Sequence, residues 1–137
     1  MNSPTYADAH VFMDYYALWD TPLDAEAWTF FRQVRGDGGF DSMERFDALV
    51  PSGGREFTLF DRVLCAFEQG GVLMKHGLMH PDLYFDGWSS AASVWARTET
   101  VIRGLRDRLG NDNLYRNVEW LAQRERGWMP QGAPAAD

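Results

Sequence analysis

The residues best suited to chemistry crowd into one stretch, Glu68 to Asp82, which reads EQGGVLMKHGLMHPD. His76 and His80 stand four apart, the spacing that puts two imidazoles on one helical face as metal ligands, and Asp82 could complete the set. A continuous helix across both histidines is opposed by Gly77 and Pro81, and HGLMH lacks the Glu that serves a zinc protease as general base. The same residues fit a helix end better. Lys75 and His76 fall in a last turn where the helix dipole favours cations, and Gly77 sits at the left-handed position after it. Leu78 is the apolar residue just beyond, and Pro81 opens the next element. That reading accounts for every residue from Lys75 to Pro81.

Other constellations are thinner. Asp61 and Glu68 fall on one side of a helical pattern, at the margin of its apolar face. They could act as an acid–base pair beside a cleft, or form a solvated flank paired with Lys75. Cys65 is the single cysteine and lies in an apolar run, so it reads as a small buried side chain rather than a nucleophile, and no disulfide can form within the chain. Only three histidines are present, and no Ser-His-Asp or Cys-His arrangement is supported. Gly70-Gly71 lies inside a helical pattern with no Lys-Ser or Lys-Thr after it, and RGDGG at Arg35 to Gly39 follows a helix rather than a strand. Neither is a phosphate loop. No cofactor is expected.

The elements that must position these residues are helical nearly throughout, by the recurrence of apolar residues at three and four positions. Phe12, Tyr15, Tyr16 and Trp19 mark a first helix. Thr21-Pro22 caps and opens a second, ending at Gly36-Asp37-Gly38-Gly39. A short third spans Asp41 to Val50, with Asp41 as its cap and Glu44 three residues on. The fourth aligns Phe60, Val63, Leu64, Phe67, Gly71, Met74 and Leu78. A one-turn helix follows at Pro81 to Asp86. The sixth begins near Ser89 or Ser90, carries Trp95 and ends at Gly110, and the seventh runs from about Asn113 to Arg126. No alternation of a half-buried strand is found. The fold class is therefore all-α: one irregular helical bundle of about six or seven helices over residues 1–128, with a mobile tail over 129–137.

A glycine inside a helix costs about 1 kcal/mol relative to Ala. Gly71, in the middle of the fourth helix's apolar face, implies a close helix crossing, with the Trp95 helix as its expected partner. Gly70 falls at the edge of that face. Gly71, Gly77 and Trp95 are thus structural candidates.

Hydrophobic residues make up 45% of the 137 and aromatics 15%, with six Trp and nine Phe, enough for a core without disulfides or metal. Net charge is −7, and residues 1–61 alone carry eleven acids against four arginines. Nucleic acid is a poor partner for such a field. The Arg-rich stretch from Arg97 to Arg126 interleaves acids, with Glu99, Arg103 and Asp107 as an i, i+4, i+8 ladder. No basic, apolar leader opens the chain, and no run reaches the length of a membrane span, so a cytoplasmic location is expected. Trp28 and Trp120 lie off the core arcs of their helices, and Trp128 follows the last helix stop. Each either packs on another element or anchors an interface.

The order VLCAFEQGGVLMKHGL, HPDLYFDGW, a helix with Trp95 and Arg103, then YRNVEWLA resembles the bacterial DUF4760 family, a domain of unknown function, over roughly Phe57 to Ala122. Glu68, Gly77, Trp95 and Arg103 would fill that pattern's places. The resemblance implies a helical fold and no reaction, cofactor or catalytic residue. The expected function is a helical protein-interaction or regulatory module that binds another protein or a second copy of itself. The alternative is a small enzyme or ligand-binding bundle with a pocket near Glu68, His76 and His80.

Overall fold

Short polar side chains start most of the helices. In the computed structural model, which describes residues 2–88 and 90–130, seven helices and no strand are found among the described residues. Helices α1 (Tyr6–Leu18) and α2 (Pro22–Gly36) each open with a capping box. Thr5 pairs reciprocally with Asp8, and Thr21 with Asp24. The second of these boxes is the start expected from Thr21-Pro22. Helix α3 (Met43–Leu49) is capped by Ser42 rather than by Asp41: Ser42 is the extended residue, and its Oγ accepts from the Arg45 amide at 3.1 Å.

Helix α4 (Arg55–Lys75) is the longest, at 21 residues. It stops as the sequence implies. Gly77 has φ 72°, the Gly77 amide donates to the Met74 carbonyl at 3.0 Å, and the Leu78 amide reaches back to Leu73 at 2.8 Å. These are the two bonds of a Schellman stop. Because the chain reverses there, Leu78 does not continue the apolar face of α4, and it is largely exposed. Pro81 then opens α5 (Pro81–Gly87), and Ser90 caps α6 (Ala91–Leu109).

Helix α7 spans Arg116–Arg126 and begins later than its apolar pattern implies. Tyr115 is left-handed, with φ 54°, and a right-handed helix cannot run through it. Its ring is buried against Phe60, at 6.4 Å between centroids, so tertiary packing sets the boundary.

The main contacts run in the order α2, α4, α7, α6. Helix α4 lies against α2 on one side and α7 on the other, and α7 lies against α6, while α1 meets α5 and α3 meets α6. The crossing expected at Gly71 exists, but its partner is α7 and not the Trp95 helix α6. A Cβ placed on Gly71 would lie 2.6 Å from the Asn117 carbonyl oxygen. The reason is order: α7 occupies the position next to α4, and α6 packs behind it.

An aromatic cluster centred on Phe60, which is fully buried, joins α2, α3 and α4. Its ring lies 5.9 Å from Phe31, 5.3 Å from Phe40 and 5.0 Å from Phe46. Such pairs add about 0.5–1.5 kcal/mol each beyond the area they bury. Trp95 is buried in α6, with the Arg103 and Arg106 guanidinium carbons 5.7 and 5.6 Å from its ring centre. No helix among the described residues is long and apolar enough to cross a membrane. Of the tail expected over 129–137, residues 131–137 lie outside the described residues.

Candidate functional site

The residues with chemical potential on α4 face the start of α7. Asp61, Cys65 and Glu68 recur at helical spacing along one side. Asp61 Oδ1 accepts the Tyr115 hydroxyl at 2.6 Å and the Cys65 thiol at 3.4 Å. Glu68 Oε1 accepts the backbone amides of Asn117 at 2.6 Å and Val118 at 3.0 Å, while Oε2 accepts from Asn117 Nδ2 at 2.8 Å. Tyr115 supplies no side-chain cap, so Glu68 closes the first turn of α7 from another helix. Its charge also suits the positive end of the α7 dipole. Neither acid is a solvated flank, and Lys75 does not pair with them: its Nζ lies over the Trp120 ring, 5.4 Å from the centre.

This arrangement holds protons rather than moving them. Burial pushes the Cys65 thiol up to about 12, and the Asp61 carboxylate adds to the effect. Burial, then the bond to Asp61, also raises the Tyr115 hydroxyl well above an ordinary tyrosine. At neutral pH both are protonated donors, and a nucleophile needs the opposite.

Four consecutive residues of α4 each receive a different group. Glu68 takes the α7 amides. Gln69 Oε1 accepts the Trp19 indole N–H at 2.5 Å. Gly70 faces Tyr84 of α5, whose hydroxyl would lie 2.6 Å from an added Cβ. Gly71 faces Asn117. Tyr84 is fully buried, with its hydroxyl 3.1 Å from that of Tyr15, which in turn donates to the Ala66 carbonyl at 2.5 Å. Sequence reasoning placed Gly70 at an edge and missed this pair. The available signal was the second glycine itself, since a costly helical glycine marks space taken by something else.

The histidines and Asp82 do not form a ligand set. His76 is exposed at the end of α4. His80 Nδ1 accepts the Asp82 amide at 3.1 Å, so its proton sits on Nε2, which lies 2.6 Å from the Asn2 carbonyl oxygen. Both ring nitrogens are engaged. Asp82 Oδ1 accepts the Trp128 indole N–H at 2.9 Å. Among the described residues, no three His, Cys, Asp or Glu side chains are grouped to hold a metal ion. His80 lines a groove of about 600 Å³ with Lys75, Trp120 and Arg124, and Glu68 is not among its lining residues.

The three flagged tryptophans are half-buried and packed on the core. Trp28 meets Phe67 edge-on at 6.0 Å, and Trp128 lies 5.5 Å from Phe85. Trp28 also lines a groove of about 440 Å³ together with Tyr16, Trp19, Asp20, Arg32 and Trp88. The Trp88 indole N–H is buried and has no acceptor among the described residues.

A different surface is uncovered. Tyr15 is the one buried side chain of α1. Tyr6, Met13 and Leu18 are 90%, 60% and 51% exposed, and Tyr16 is exposed beside them. Tyr6, His10, Met13 and Ala17 form a stripe along the outer side, without Lys or Arg anywhere in the helix.

Comparison with curated proteins and with solved structures finds no match to this chain. A family model, by contrast, extends across α1 to α7, beyond both ends of the segment that carries the resemblance in the sequence. Residues 8–125 of the chain match that model, and the chain belongs to the family described as a domain of unknown function, DUF4760.

Proposed function

We propose that this chain is a helical protein-interaction module whose contact surface is the outer face of α1, continued through Tyr16 into the groove lined by Trp19, Trp28 and Trp88. The observation that carries this reading is the exposure of Tyr6 and Met13, at 90% and 60%, on a helix with apolar residues on both sides. Large apolar side chains left exposed together on one helix mark a contact surface.

The chemistry of the surface defines the partner. Residues 1–61 carry eleven acids and four arginines, so a segment presenting apolar anchors flanked by Lys or Arg is complementary in both respects. Affinity capture from the organism that carries the chain tests this, with wild type set against the double variant Tyr6→Glu, Met13→Glu. The expected result is a stoichiometric partner that the variant loses while its melting temperature stays unchanged. The same proteins captured by both forms, or none by either, would overturn the reading.

A further inference from the structure

Helices α2 and α6 flank an open pocket of about 430 Å³ beside the turn that carries RGDGG. Its floor is apolar: Phe31, Val34 and Phe40 line it, each buried in the core. Arg35 from the last turn of α2 and Arg97 from α6 line it too, with Thr100. Seven of the twelve arginines donate to protein acceptors, as Arg62 does to Asp24 and Arg108 to Asp47. The guanidiniums of Arg35 and Arg97 make no hydrogen bond or ion pair among the described residues. Arg97 is half-buried nonetheless. Burial, and then the like charge of Arg35, pull its pKa down. Asp41 lines the same pocket and bridges neither arginine.

A protein with twenty acids thus leaves two cations facing one apolar hollow. A partly buried charge is costly without a partner, and paired guanidiniums match the planar forks of carboxylate and phosphate. We infer that this pocket binds a small amphiphilic oxyanion, its carboxylate or phosphate head held by Arg35 and Arg97 and its apolar body seated on Phe31, Val34 and Phe40. The backbone of the turn does not supply the recognition. The Gly38 and Gly39 amides already donate to the Arg35 and Val34 carbonyls, at 3.3 and 2.8 Å. The volume falls within the range of small-molecule pockets, about 300–1,000 Å³. The site lies on α2 and α6 and does not depend on the outer face of α1.

Isothermal titration calorimetry on the full chain with 3-phenylpropionate, phenyl phosphate and inorganic phosphate decides the matter. Saturable binding of at least one of the two apolar anions is expected, tighter than inorganic phosphate. Whichever of them binds more tightly identifies the head group. Arg97→Gln and, separately, Arg35→Gln should each weaken binding by about tenfold, with an unchanged thermal melt. Arg35 is exposed, so its variant keeps the test intact if Arg97→Gln folds poorly. No saturable binding by either apolar anion would overturn the inference. So would affinity unchanged in the folded variants, or inorganic phosphate bound as tightly as the apolar anions.

Discussion

The seam between α4 and α7 and the outer face of α1 differ in the opposite sense from their sequences. The seam carries Asp61, Cys65, Glu68 and Gly71, the vocabulary of an active site, yet its polar groups are committed to one another. The α1 face carries Tyr, Met, Ala and a lone His, the vocabulary of a core, yet it is uncovered. Residue type alone therefore misassigns both. What separates them is whether each donor, acceptor and apolar surface already has a partner.

The sharpest way to break this contrast is Gly71→Leu. Even one added carbon would lie 2.6 Å from a backbone oxygen, and a full side chain has nowhere to go in a close-packed crossing. Loss of the cooperative thermal transition in circular dichroism is expected. A melt like that of wild type would mean that α4 and α7 are loosely apposed. Glu68→Ala comes next. It strands the Asn117 and Val118 amides and should cost about 2–3 kcal/mol in urea denaturation. A shift no larger than an ordinary surface substitution, within about 0.5 kcal/mol, would return Glu68 to the class of exposed flank.

A smaller effect is expected at Asp24, where α2 meets α4. Burial raises its pKa, but the bonds from Arg62 and Thr21 outweigh burial and hold the carboxyl below its ordinary value. A carboxylate depressed in the folded state stabilises above its unfolded pKa, about 3.9. That contribution drains away as pH falls through the lower folded value. Asp24→Asn should therefore lower the melting temperature at neutral pH and flatten its decline as pH falls below about 4. An acid limb as steep as that of wild type would remove Asp24 from the account. The α1 double variant supplies the other half of the contrast, since its melting temperature is expected to stay put.

The contrast also shows what a sequence reveals. The stop at Gly77 and the start at Thr21 were legible because cap, turn and partner lie within a few residues. The close approach at Gly71 was legible because a helical glycine is costly. Its partner was not, since nothing local distinguishes α6 from α7 as the neighbour of α4. The start of α7 was misjudged for the same reason: its cap, Glu68, lies 49 positions from Asn117. The cap of α3 is Ser42 rather than Asp41: Ser42 is extended, and its hydroxyl reaches the Arg45 amide. Trp28, Trp120 and Trp128 left two readings open, since a helical wheel records only which way a side chain leaves its own axis. The pairing of Arg35 with Arg97 depends on two elements meeting, and neither residue is conspicuous alone.

The capping of α7 by α4 has a counterpart one step further on. Glu125, in the last turn of α7, accepts from the Ser90 hydroxyl at 2.7 Å and from the Ala91 and Ala92 amides at 3.2 and 3.1 Å. The first turn of α6 thus hangs on α7, as the first turn of α7 hangs on α4. Helices fastened in series in this way cannot come apart independently. Opening the α4 seam removes the Glu68 anchor of α7, and displacing the end of α7 withdraws the Glu125 anchor of α6. The carboxyl-terminal half of the bundle is therefore expected to unfold as one cooperative unit, and a chain cut before Glu125 should lose order at Ser90, far from the cut in sequence.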